Sequence, residues 1–163
     1  MKFRLISRVL GIGLIAFSFL QLTPIIVSII YNEDNITAFA YSFLITLAFG
    51  SFLYLVNFEK KYEGIRVKEG FLLTVLLWLF FTIFATLPLI FGNKSGLSIV
   101  SAYFEATSGL TTTGATIFSN LSGEYYSILF YRGLLQWIGG LGIIVLAIAL
   151  MPLLGVGGMQ LYR

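Results

Sequence analysis

The residues best suited to chemistry sit together, in the uncharged run Leu110, Thr111, Thr112, Thr113, Gly114, Ala115 and Thr116. Backbone carbonyls spaced this closely can replace the water shell of a bare cation such as potassium, with no fixed charge to trap the ion. Gly114 permits a positive φ, which lets successive carbonyls turn toward one axis. Before the run, residues 98–109 read as a half-helix of about twelve residues, too short to cross a bilayer. Ser98, Ser101, Glu105 and Ser108 make a polar stripe on it, and Ile99, Tyr103 and Ala106 an apolar one. Gly109 breaks the helix, whose partly negative C-terminal end would favour a nearby cation. An ordinary Thr/Gly-rich external loop has the same composition. The half-helix before the run and the apolar span after it favour a pore loop, because a bare loop survives at membrane depth only when buried in protein or lining water.

Two charges accompany this segment. By residue counting, Glu105 and Arg132 lie at similar depth from the same side, and uncompensated charge there is costly. A buried pair bracing the loop from behind is the economical arrangement. In the alternative, Arg132 snorkels to the headgroups and Glu105 meets backbone N–H groups or water. The span that carries Arg132 also holds Gly133, Gly139, Gly140 and Gly142. These suit close helix packing, or a hinge at Gly139 and Gly140, where tandem glycines make bending cheap.

Other chemistries are poorly supplied. The chain has no His and no Cys, which removes disulfides, thiolate or imidazole metal sites and Ser–His nucleophile systems. The acids are few and scattered, so no acid–base dyad can be built and an enzyme is not expected. No cofactor is expected in the chain. Gly11, Gly13 and Ala16 match a GxGxxA pattern, but no strand precedes them and small residues for helix packing explain them better. Sequons at Asn35, Asn93 and Asn120 carry no function on this reading.

The elements that must hold the loop follow from composition. Of 163 residues, 58% are hydrophobic and 10% charged, too little charge to coat a soluble surface. Mean hydropathy is +0.96. The chain reads as an integral membrane protein whose partner is the lipid bilayer, not nucleic acid. Charge-free gaps of 24 residues separate Arg8 from Glu33, Asp34 from Glu59 and Glu69 from Lys94. Each makes about 36 Å of helix, enough to span. A fourth gap follows Arg132, and its helix is expected to end near Met151 because Pro152, Gly155, Gly157 and Gly158 come next. The expected fold is all-α: spans at about 9–32, 35–58, 70–93 and 125–151, with a re-entrant half-helix and filter loop between the third and fourth. Pro24 reads as a tolerated kink, and spans one and two read as bare of polar groupings. Tyr125 and Tyr126 suit an interfacial anchor.

Orientation follows from the basic residues. Lys2, Arg4, Arg8, Lys60, Lys61, Arg66, Lys68 and Arg163 group on one side, leaving Lys94 and Arg132 for the other. Both termini are therefore expected in the cytoplasm. The apolar run continues through Ile30, which argues against a signal peptide cleaved after Ala16 and Ser18.

The run 102–116, Ala-Tyr-Phe-Glu-Ala-Thr-Ser-Gly-Leu-Thr-Thr-Thr-Gly-Ala-Thr, resembles the first pore loop of the Trk/Ktr potassium-uptake family. Gln136-Trp137-Ile138-Gly139-Gly140-Leu141-Gly142 and Gly155-Val156-Gly157-Gly158-Met159-Gln160 resemble the same family's transmembrane subunits. The resemblance covers residues 70–163; the two leading spans match the Trk branch in layout only. It implies residues 1–68 as an N-terminal helix pair with a cytoplasmic loop, and 69–163 as the first helix–pore loop–helix repeat. It also implies four such repeats around one potassium pathway, a cytosolic nucleotide-binding regulatory subunit, and a homodimer of the full-length protein in the inner cell membrane. Potassium would be the transported ion, held by the carbonyls of Thr112, Thr113 and Gly114, with Thr111 and Ala115 at the margins. One repeat is a quarter of such a filter. The chain is expected to be a fragment of the pore-forming subunit; a homotetrameric channel or a non-conducting membrane interaction protein are the alternatives.

Overall fold

The structure, a computed structural model, describes residues 3–56 and 67–150. Among these, all regular structure is helical: α1 (Phe3–Leu20), α2 (Thr23–Ile30), α3 (Ile36–Val56), α4 (Val67–Gly92), α5 (Ile99–Leu110) and α6 (Tyr126–Leu150), with a 3-10 turn at Leu121–Gly123. Four stretches are long and apolar enough to cross a membrane: Phe3–Ile30, Ile36–Val56, Glu69–Gly92 and Tyr126–Val145. The loop with Lys60, Lys61 and Arg66, the end of span four near Met151, and the glycine-rich stretch 155–160 lie outside the described residues.

The first span is two helices, not one kinked helix. Pro24 has no N–H for the Leu20 carbonyl, and the Thr23 hydroxyl donates to that carbonyl instead, at 2.8 Å. The amides of Gln21 and Leu22 bond back to Ser18 and Phe19 at 3.0 and 3.1 Å, closing α1 in a tight turn. Pro24 then sits in the first turn of α2, where its missing donor costs nothing.

The break carries a polar grouping, which corrects the expectation that spans one and two hold none. Pro88 in α4 leaves the Phe84 carbonyl without an intrahelical partner. The fully buried Gln21 side chain donates to that carbonyl at 3.1 Å and accepts from Thr46 of α3 at 3.1 Å. Next to it, the Tyr131 hydroxyl of α6 donates to the Ala85 carbonyl at 3.1 Å. A carbonyl stranded in an apolar interior is costly; here the Gln21 side chain of the first span satisfies the one that Pro88 frees, and Tyr131 adds a second interhelical bond beside it.

Helix α1 packs along α3 at a glycine crossing. A methyl on Gly11 would lie 2.7 Å from the Gly50 carbonyl oxygen and 2.8 Å from the Tyr54 amide, so the backbones approach as only glycine allows. Leu14 and Phe17 of α1, Phe39 of α3, Leu89 of α4 and Tyr131 and Leu135 of α6 form the core, with Leu110 at the end of α5. Helix α5 lies against both α4 and α6. Ile26, Ile29, Leu44, Phe52 and Leu79 are exposed apolar side chains on the long helices, as a lipid surround would favour.

Candidate functional site

Helix α5 starts where Ser98 caps it, its hydroxyl accepting the Ser101 amide at 3.1 Å. Twelve residues give about 18 Å, well short of a span. The buried face is Ala102, Glu105, Ala106, Ser108, Gly109 and Leu110. Of the apolar stripe expected from the sequence, only Ala106 is buried; Ile99 and Tyr103 point outward. The inward face holds Glu105 and Ser108 beside Ala102, Ala106 and Leu110, because α5 packs against α4 and α6 on the apolar residues and against a polar loop on the other two.

That loop, residues 111–117, is exposed along its length and strapped to α5 from behind. The Thr111 and Thr112 amides bond to the Thr107 and Gly109 carbonyls at 2.9 and 3.0 Å. The Thr113 and Gly114 amides both point at the Ser108 carbonyl, at 3.0 and 3.4 Å. Positive φ at Thr112 (+57°) and Gly114 (+76°), with Thr113 between them in the ordinary range, makes this double return possible. No peptide among the described residues is cis, and in a trans peptide the N–H and C=O are antiparallel. Amides of Thr113 and Gly114 aimed at α5 therefore send the carbonyls of Thr112 and Thr113 to the open side. The Ala115 carbonyl is turned the other way and accepts from the Ser108 hydroxyl at 2.7 Å.

Glu105, almost wholly buried, holds the far arm of the loop. One carboxylate oxygen accepts from the Ile117 amide at 2.9 Å and the Thr116 hydroxyl at 3.3 Å. The other forms a salt bridge with Arg132 Nε of α6. The Arg132 guanidinium also lies 5.5 Å from the Phe118 ring centre. Charge is thus paired inside the support, and the exposed loop presents neutral oxygens.

Helix α6 backs the assembly with one face. At Gly139 any Cβ would collide with the Leu110 carbonyl oxygen and lie 2.7 Å from its carbon, so this glycine is required by contact. Gly140 has room, since a methyl placed there would find Thr112 Cγ2 at 3.9 Å; a methyl at Gly109 would meet Leu135 Cβ at 3.0 Å. The structure therefore brings Glu105, Thr111, Thr112, Thr113, Gly114, Ala115, Arg132, Gly139 and Gly140 into one neighbourhood. Among the described residues no cluster of three acidic side chains could hold a metal ion.

Sequence reasoning misses several residues. Ser108 reads as part of a stripe, not as the post on which the middle of the loop, Thr113 to Ala115, is held. Asn35, which reads only as a sequon, is buried and donates to the Gly92 carbonyl at 3.2 Å and the Ser127 hydroxyl at 2.8 Å. Glu124 accepts from the Lys94 amide at 3.0 Å and from the Ser95 hydroxyl, closing the connection between α4 and α5. Lys94 also lies 4.2 Å from the Tyr125 ring centre, so Tyr125 is engaged within the protein.

Residues 35–163 match the family model TrkH, described as a cation transport protein. The Trk system potassium uptake protein TrkH of Escherichia coli strain K12 is 48% identical over 163 residues, covering 100% of this chain and 34% of that protein. The Trk system potassium uptake protein TrkG of the same strain is 36% identical over 160 residues, 98% of this chain and 33% of that protein. The solved structure of the potassium transporter TrkH from Vibrio parahaemolyticus superposes with a TM-score of 0.89 at 40% identity, covering 99% of this chain and 34% of that one. The chain thus spans about a third of the length of the curated relatives it matches. With four stretches among the described residues long and apolar enough to span and matches along its whole length, this is a membrane protein, and the chain belongs to the TrkH family of cation transport proteins.

Proposed function

We propose that this chain is the N-terminal part of the pore-forming subunit of a potassium-uptake system and supplies one of its four filter repeats. On this reading residues 1–68 are a supporting helix pair and 69–163 the first repeat, in which α5 is a re-entrant pore helix and 111–115 the filter loop. Potassium passes as cargo over the carbonyls of Thr112 and Thr113, with Gly114 and Thr111 adjoining; no cofactor is needed in this chain. The observation that carries the reading is the anchoring of the Thr113 and Gly114 amides on the Ser108 carbonyl, which leaves the preceding carbonyls free on the exposed side. The C-terminal end of α5 adds a partial negative charge near the same place.

The site lies in the inner cell membrane, with both termini in the cytoplasm and the filter open to the outside. The remaining three repeats complete the oxygen cage, a second full-length copy completes a homodimer, and a cytosolic nucleotide-binding subunit regulates opening. Thr-Thr-Gly-Ala lacks the tyrosine and second glycine of the Thr-Val-Gly-Tyr stretch of simple potassium channels, so discrimination against sodium is looser. The test is Gly114→Ser in the full-length protein. Serine at a φ of +76° is strained, so potassium uptake falls or sodium competes better; unchanged uptake and selectivity would move the ion elsewhere.

A further inference from the structure

The turn between α2 and α3 reaches both helices that flank the loop. Asn35 is 5% exposed, and its whole amide is engaged: Nδ2 donates to the carbonyl of Gly92, the last residue of α4, and to the hydroxyl of Ser127, at the start of α6. Its Oδ1 accepts from Ser28 of α2 at 2.7 Å. Two residues earlier, the Glu33 carboxylate accepts the amides of Tyr126 and Ser127, the second at 3.1 Å. These are first-turn amides of α6, which have no partner within the helix. The Tyr31 ring stacks on Tyr126 with centroids 4.3 Å apart. At Gly92 a methyl would lie 3.0 Å from Ala38 Cβ, so α3 and α4 are pressed together at the same point.

We infer that Asn35 and Glu33 are positioning residues for the filter repeat: they fix the gap between the end of α4 and the start of α6, between which α5 and its loop are hung. Both helices are held by one side chain, so the gap cannot widen without breaking a buried hydrogen bond. Arg132 lies little more than a turn beyond Ser127 on α6, and Gly139 two turns further, so a shift of α6 moves the groups that meet Glu105 and Leu110. The N-terminal helix pair is then a part of the selectivity apparatus. This inference rests on the filter reading above for its functional readout, and on distance alone for its structural one.

The experiment uses the full-length protein carrying Asn35→Asp, which keeps the side-chain shape and turns an acceptor oxygen toward the Gly92 carbonyl. Spin labels at exposed Phe91 and Phe130 report the α4–α6 gap. Membrane amount, melting temperature and potassium-over-sodium preference are measured alongside, with Gly114→Ser as a control. The expected result is a broadened label distance and a preference lowered about three- to tenfold, the worth of one buried hydrogen bond. Ser127→Ala, which removes one acceptor, gives a smaller change in the same direction. If Asn35→Asp fails to reach the membrane, Ser127→Ala carries both readings. An unchanged label distance overturns the inference whatever the preference does. So does a lower melting temperature with preference intact, the mark of a purely structural residue. If Gly114→Ser leaves preference unaltered, the filter reading has failed, and the label distance alone decides the clamp.

Discussion

Glu105 on α5 and Arg132 on α6 meet as a buried ion pair, and the same carboxylate accepts the Ile117 amide through its second oxygen. One acid thus links a helix, a loop and a second helix. Removing either partner strands a charge, at a cost of about 3–5 kcal/mol. Glu105→Gln and Arg132→Met should each lower expression and melting temperature by similar amounts. The double mutant should recover part of the loss. Strictly additive damage in the double-mutant cycle would mean that the contact carries no energy.

The two neighbouring glycines of α6 should behave differently. Gly139→Ala drives a methyl into the Leu110 carbonyl and should cost about 1–3 kcal/mol or more, with loss of transport. Gly140→Ala meets only Thr112 Cγ2 at contact distance and should leave stability within about 1 kcal/mol. A hinge at this pair predicts that stiffening Gly140 also impairs opening. Flux and melting measured for both variants separate packing from bending.

Ser108→Ala removes the donor to the Ala115 carbonyl while leaving the Ser108 carbonyl in place. The Thr113 and Gly114 amides should stay pinned and the loop loosen at Ala115. The expected loss is about 1 kcal/mol of stability, with sodium competing more strongly for uptake. Ser108→Thr, which restores the hydroxyl, should recover selectivity more than Ser108→Ala does.

Gln21→Leu should destabilise by about 0.6–2 kcal/mol, the range for interhelical hydrogen bonds in membranes, because the Phe84 carbonyl loses its donor. Pro88→Ala returns an N–H to that carbonyl. In the Pro88→Ala background, Gln21→Leu should therefore cost less. Equal cost in both backgrounds, by thermal melting in detergent, would show that the bond contributes nothing.

Topology is checked through cysteines, of which this chain has none. One placed at Asn120 should react with an impermeant reagent from outside, and one at Gly64 only from inside. The reverse pattern would invert the proposed orientation.

The long helices were legible because charge is scarce and its gaps match a bilayer. The spans at 35–58 and 70–93 lie within a few residues of α3 and α4. The half-helix at 98–109 was legible from its length and its polar stripe, and matches α5 within a residue; Gly109 does not break it, since the helix runs on to Leu110 and this glycine serves close packing on Leu135. Glu105 and Arg132 could be paired by depth alone, because no other charge lies near them. Periodicity, however, tells which residues share a face and not what the face will meet; Ile99 and Tyr103 therefore point outward while Glu105 and Ser108 point in. Gln21 and Asn35 were opaque for a different reason. Each bonds a backbone carbonyl of a distant helix, and carbonyls leave no mark in the sequence. The available signals were a proline at 88 and, for Gln21, a single amide in a largely apolar run; Asn35 follows Asn32, Glu33 and Asp34 and looks like any other loop residue.

The pairing of Gln21 with the Phe84 carbonyl also bears on biosynthesis. The two are 63 residues apart, and Gln21 emerges from the ribosome long before Pro88 exposes the carbonyl it serves. In the folded protein Thr46 of the second span already engages the Gln21 side-chain oxygen, so the first two spans together present the Nε2 donor. When α4 arrives with an unmet acceptor, each supplies what the other lacks. The docking of α4 onto the leading pair is thereby registered at one height, like a key pin.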